Sequence, residues 1–188
     1  MAFTPCTKSV TTNIVPDCTN PRIKGWERTG VGIKRSDIFW SEVFTTAKGV
    51  NFFVATGKKT FAIYNKKSNP LPFNGTQVSA NNDADGWDKK IQFYYEGVGA
   101  DASSVIKALQ DDEYVIVLER KHRQSGGSYV VFGYEVGLTL ESAEYSEETG
   151  YWLITMKTTE HTPELNFGDT GNIEVDVLAF NALLGASV

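Results

Sequence analysis

The chain has 188 residues and a formal net charge of -5, with 22% charged and 41% hydrophobic residues, 11 Phe, 8 Tyr and 4 Trp. This is the composition of a folded globular chain, not of a disordered or collagen-like one, and the aromatic share suits sheets and interfaces. The acidic balance argues against a protein built to grip nucleic acid, and no apolar run reaches the roughly 18 residues of a membrane-spanning helix.

The start, Met1-Ala-Phe-Thr-Pro-Cys6, lacks the charged and apolar regions of a secretory leader, so none is expected. Cys6 and Cys18 are read first as free thiols and second as a disulfide. A metal site is disfavoured there, because no histidine lies nearby and two thiols alone rarely hold zinc. Residues 1–27 read as an N-terminal arm broken by Pro5, Pro16 and Pro21, with room for a short strand over Val10–Val15.

Arg28–Ile38 is the first candidate core strand, weakened by Gly30 and Gly32. Phe39, Trp40, Val43 and Phe44 form an aromatic patch that needs a cover. Val50, Phe52 and Val54 alternate, Gly57-Lys58 turns the chain, and Phe61 and Ile63 alternate again, which predicts a hairpin. Residues 65–88 carry Asn69-Pro70, Pro72, Asn74-Gly75 and Asp85-Gly86 and read as a long contact loop. Deleting Asn69–Asp83 is therefore expected to leave the monomer folded but to block its stacking on other copies.

Lys90–Glu96 returns to strand, with Ile91, Phe93 and Tyr95 on one face. A helix follows. Asp101 is the expected cap, and Ala102, Val105, Ile106 and Leu109 form its apolar stripe. Asp111, Asp112 and Glu113 sit at its C-terminal end, where the helix dipole disfavours anions. Two readings stand: the helix simply stops there, or the carboxylates meet a partner's cation.

Tyr114–Leu118 is a continuous apolar run, as a strand buried on both faces would be. A turn holding Gly126-Gly127 leads to Tyr129–Ala143, read as one long alternating strand with Val130, Phe132, Tyr134, Val136, Leu138 and Leu140 on its dry face. Gly133 and Gly137 fall on its wet face and suggest either the approach of another backbone or a bulge. Trp152, Ile154 and Met156 again share one parity. Residues 161–188 read as a C-terminal extension. Within it Val175, Val177 and Ala179 fit a strand and Leu178–Leu184 fits a helix equally well, and an apolar segment of this kind either closes the sheet or docks on a neighbouring subunit.

Little of this points to catalysis. His122 lies in the basic tip Arg120–Arg123 and His161 beside Thr162-Pro163, and both read as solvated turns. There is no G-x-S-x-G, P-loop or dinucleotide glycine pattern. Asn81–Gly86 lacks the spacing of a calcium loop. Glu141, Glu144, Glu147 and Glu148 read as an acidic hairpin end, which the basic tip of another copy could meet. No catalytic, cofactor-binding or metal-ligating residue is expected.

The element order carries a resemblance. Cys18-x-x-Pro-Arg-Ile-Lys-Gly25 leads to Arg35-Ser-Asp-Ile38, a hairpin, a long loop, a strand and the helix; then come Tyr114–Glu119, the Phe132-Gly-Tyr-Glu-Val-Gly-Leu138 core and Gly150–Lys157. This resembles virion structural proteins of tailed phages and prophages of Bacteroides-type gut bacteria, including crAss-like phages, and the general tail-tube fold. The resemblance implies a mostly β antiparallel sandwich or barrel with one flanking α-helix and extended N- and C-terminal arms, the β domain spanning residues 28–160. It implies a non-enzymatic, homo-oligomeric ring, hexameric in tail tubes or twelve-fold in a connector. The ring would surround a channel through which double-stranded DNA passes without specific recognition, and it would contact other tail or connector proteins. Made in the host cytoplasm, the subunit would reside in the virion, with no cofactor and no membrane partner. Two other readings are a capsid-associated decoration protein and a carbohydrate-binding β-sandwich using Trp26, Trp40 or Trp87.

Overall fold

A computed structural model describes residues 25–45, 49–64, 74–79, 87–121, 127–160, 162, 165–168, 170 and 172–185, with the backbone alone for 40–45, 74–79 and 87. Residues 1–24 of the expected arm, with both cysteines and Val10–Val15, lie outside the described residues. So do Asn81–Gly86, His122, Arg123 and His161.

The chain is mostly β. Its strands are β1 (Trp26–Lys34), β2 (Ile38–Thr45), β3 (Gly49–Val54), β4 (Phe61–Tyr64), β5 (Asn74–Ser79), β6 (Trp87–Tyr95), β7 (Tyr114–Arg120), β8 (Tyr129–Phe132), β9 (Leu138–Ser146), β10 (Tyr151–Thr158) and β11 (Leu165–Phe167). Helix α1 (Gly99–Asp111) lies between β6 and β7, and α2 (Ile173–Gly185) follows β11. The helix alternative for the C-terminal segment is the one observed, so among the described residues two helices flank the sheet.

All the strands join one hydrogen-bonded network that divides into two stretches. One runs β4-β1-β7-β8-β11-β3-β2 and the other β9-β10-β6-β5. Every pairing is antiparallel except β11 with β3. The two stretches meet where β7 passes from β8 to β9, with Ile116 opposite Phe132 and Tyr114 opposite Leu138.

Strand β7 is buried on both faces, as its unbroken apolar run requires. Val115 and Val117 enter a core with Val31, Val50, Phe52 and α2 residues Phe180 and Leu183. Tyr114, Ile116 and Leu118 enter a second core with Ile91, Phe93, Ile154, Met156 and α1 residue Leu109. The second core separates the two stretches of sheet. Lys89 crosses it, and its Nζ donates to the Val131 carbonyl at 3.1 Å. Strand β8 is also buried throughout, so the expected wet face over Tyr129–Phe132 does not exist.

Four further expectations need correction. The long strand over Tyr129–Ala143 is broken at 133–137, where Gly133, Glu135 and Gly137 have φ of 80°, 62° and 87°. A Cβ on Gly133 would lie 2.8 Å from the Tyr114 carbonyl oxygen, so the close backbone approach is within the chain. The β3–β4 hairpin does not form either. Strand β3 faces the first core and pairs β2 and β11, whereas Ile63 of β4 faces the second and β4 pairs β1. The stretch 65–88 is not one loop, because β5 pairs β6 from Asn74 opposite Gln92 to Ser79 opposite Trp87. Deleting Asn69–Asp83 would remove a strand. Lastly, α1 begins at Gly99 with Val98 as N-cap and no side-chain cap bond, which leaves Asp101 in the first turn.

The described residues of the 161–188 segment are packed into the fold. Strand β11 sits between β8 and β3, Phe180 stacks on Tyr129 at 4.5 Å, and the Thr60 hydroxyl donates to the Leu183 carbonyl at 2.6 Å.

Candidate functional site

Gly32 lies opposite Phe61 in the β1–β4 pair, and the Phe61 ring covers it so closely that a Cβ would sit 2.1 Å from the ring. The glycine that looked like a weakness in β1 is the seat for this ring. Phe61 then meets Tyr114 edge-on at 5.5 Å. The sequence thus fixes β4 firmly along one side. Along its other side, among the described residues, no strand pairs with it.

Beside that edge runs a groove of about 370 Å³, lined by Phe61 and Tyr64 of β4, Phe93 and Tyr95 of β6, and Val105 and Leu109 of α1. Tyr64 is 67% exposed and Val105 is exposed too. At the far end of the same stretch, β2 pairs β3 alone among the described residues. There Phe39 and Phe53 stand opposite each other and both are exposed. An edge strand offers a row of backbone donors and acceptors, and exposed aromatic side chains beside it add apolar area. Recognition through such an edge is main-chain hydrogen bonding, with side-chain pockets setting specificity.

Two of the three carboxylates at the end of α1, the candidates to meet a partner's cation, are paired within the chain. These two meet cations from the β1–β2 corner: Lys34 Nζ lies 2.7 Å from Asp112, and Arg35 Nη1 2.6 Å from Glu113. The backbone N–H of Arg35 also donates to the Glu113 carbonyl at 2.8 Å. These pairs line a surface hollow of about 410 Å³. The cation that suits the helix end therefore comes from Lys34 and Arg35 of the same chain. Hydrogen bonding to Asp112 holds the Lys34 ammonium above its ordinary 10.5, and burial raises the Tyr114 phenol above 10.0.

Glu141 is not part of the hairpin end. It is the extra residue of a bulge, between Leu140 opposite Met156 and Ser142 opposite Thr155. Its carboxylate lies 2.7 Å from Lys90 and 3.1 Å from Lys157, two lysines that face each other across β6 and β10. Like charges directly opposite destabilise a sheet pair, and the bulged glutamate offsets them. Hydrogen bonds from Lys90 and Lys157 lower the Glu141 carboxyl below its ordinary 4.5.

Trp26 is not a free platform for a sugar. Its ring meets Phe132 at 5.6 Å, and the Arg120 guanidinium lies 5.8 Å above it. The side chains of Trp40 and Trp87 lie outside the described residues. Among the described residues no group of three His, Cys, Asp or Glu side chains is placed to hold a metal, and no helix is long and apolar enough to cross a membrane.

The edge at β4 was missed in the sequence because Phe61 and Ile63 alternate like any hairpin strand. Nothing in a period of two tells a strand with two neighbours from one with a single neighbour. Compared with known protein families, curated proteins and solved structures, the chain matches none.

Proposed function

We propose that the protein is a non-enzymatic structural subunit of a phage virion that assembles into homo-oligomeric rings, as in a tail tube or head–tail connector. The observation that carries this reading is the pair of strand edges at opposite ends of one sheet stretch, β4 at one end and β2 at the other. Joining β4 of one copy to β2 of the next is a head-to-tail contact. Such a contact repeats around a rotation and closes into a ring when the rotation divides the circle. The groove and exposed Tyr64 at one edge, and Phe39 and Phe53 at the other, supply apolar area beside the backbone bonds. The acidic balance suits a channel that lets DNA pass without gripping it.

Negative-stain electron microscopy of the purified protein tests this. Rings or stacked tubes are expected, and Tyr64→Lys should abolish them while shifting monomer stability by no more than about 0.5 kcal/mol, as for an exposed side chain. Discrete small particles at all concentrations would sink the ring reading in favour of capsid decoration.

A further inference from the structure

The outer face of the β9-β10-β6 stretch carries a second cavity, which shares Tyr94 with the groove beside β4. Leu153 forms its floor. Tyr94 and Glu144 flank Leu153 on the neighbouring strands, each directly opposite it in register. Tyr151 lies two residues before Leu153, on the same face. The rim is Ser146 and Thr149, and the volume is about 260 Å³. Neighbouring strands lie about 4.8 Å apart, so Glu144 and Tyr94 stand roughly 10 Å from each other across the leucine. The Tyr94 and Tyr151 rings meet at 60° with centroids 6.0 Å apart, which makes an angled aromatic wall opposite the carboxylate.

Among the described residues, no cation balances the charge at this site. Lys90 and Lys157 share Glu141 farther along the same face. Glu144 is exposed and has no ion pair among the described residues. Aromatic faces attract cations through the ring quadrupole, and a carboxylate at the mouth selects the same sign. Hydroxyl oxygens of Ser146 and Thr149 can accept hydrogen bonds from an ammonium or guanidinium.

We infer that this cavity is a receptor site for a basic side chain, an arginine or lysine presented by a partner protein. The apolar stem would lie over Leu153, with the cationic head between the tyrosine rings and Glu144. Tyr94 also borders the groove beside β4, but Leu153, Tyr151 and Glu144 do not, so the inference does not rest on ring formation.

The test uses the full chain, isotope-labelled, titrated with Nα-acetyl-arginine methylamide, its lysine counterpart, and the neutral isostere Nα-acetyl-citrulline methylamide. Saturable shifts of Leu153, Tyr94 and Tyr151 resonances are expected with both cationic probes, and several-fold weaker ones with citrulline. Glu144→Gln and Tyr151→Leu should each weaken the cationic probes about two- to fivefold, the size of an exposed cation–π or ion-pair contribution. Other resonances would report that each variant remains folded. Equal affinity for citrulline and arginine would overturn the inference, as would shifts that fail to saturate or a site that takes neutral oligosaccharides instead.

Discussion

Gly133 shows how one residue sets the path of the sheet. Its φ of 80° belongs to the left-handed region, and a side chain there would press on the Tyr114 carbonyl and on Leu138. Gly133→Ala should therefore cost at least about 2 kcal/mol in urea unfolding, from backbone conformation and clash together. Gly150 has a φ of 71° with open space around it, so Gly150→Ala should cost only about 1 kcal/mol. Equal costs would show that the crowding at Gly133 is relieved. Glu141 gives a second prediction at this scale. Its folded-state pKa is depressed, so its stabilising effect is fully present above about pH 4.5 and is lost as the pH falls through the lower folded value. Glu141→Gln should remove that part of the acid limb of a stability–pH curve. Lys34 and Tyr114 act at the other end. Both have raised folded-state pKa values, so their contribution is complete below about pH 10 and falls away as the pH rises through the folded values.

Among the elements, α2 makes the strongest demand on the chain. It seals the first core with Phe180, 2% exposed and stacked on Tyr129. Phe180→Ala should destabilise by about 3–5 kcal/mol in chemical denaturation, as large-to-small changes in a packed core do. A cost under about 1 kcal/mol would mean that the helix is a detachable extension. Parity in the sequence located most of the strands. Ile91, Phe93 and Tyr95 do face one core, as do Trp152, Ile154 and Met156, and the unbroken run Tyr114–Leu118 is buried on both faces. Partners were not legible. Val50–Val54 and Phe61–Ile63 have the same period whether they pair with each other or with β2 and β1, and the choice is made by which core each side chain enters. The 129–143 alternation hid a break, because Tyr134 and Val136 keep the period through a turn. Strand β5 carries Asn74-Gly75, Thr76, Gln77 and Ser79, which read as loop by propensity, and pairing with β6 overrides it. For the proposed assembly surface, Tyr64 falls outside the Phe61–Ile63 alternation, and nothing in the sequence marks it as exposed beside a strand edge. The cavity at Leu153 needed three strands in register before Tyr94 and Glu144 could be seen to face each other.

At the scale of the whole molecule, the β4-β1-β7-β8-β11-β3-β2 stretch is a sheet with two ends and a well-filled middle. The middle explains why the chain folds, and the ends are the surfaces of the proposed association. A sheet edge with no neighbour, as at β4 and β2 among the described residues, is a pairing template unless charge, a bulge or a covering element blunts it. Tyr64 and Phe39 at the ends are uncharged and exposed, and β2 breaks register with β3 only beyond Phe39, between Phe39 and Phe44. The most direct measurement of the proposed join places p-benzoylphenylalanine at position 64 in the full-length protein, cross-links it by light at assembling concentration, and maps the captured peptides by mass spectrometry. Capture of residues Ile38–Thr45 of another copy is the expected result. Capture of β4 by β4, or cross-links confined to single chains at every concentration, would contradict a ring built head to tail through these edges.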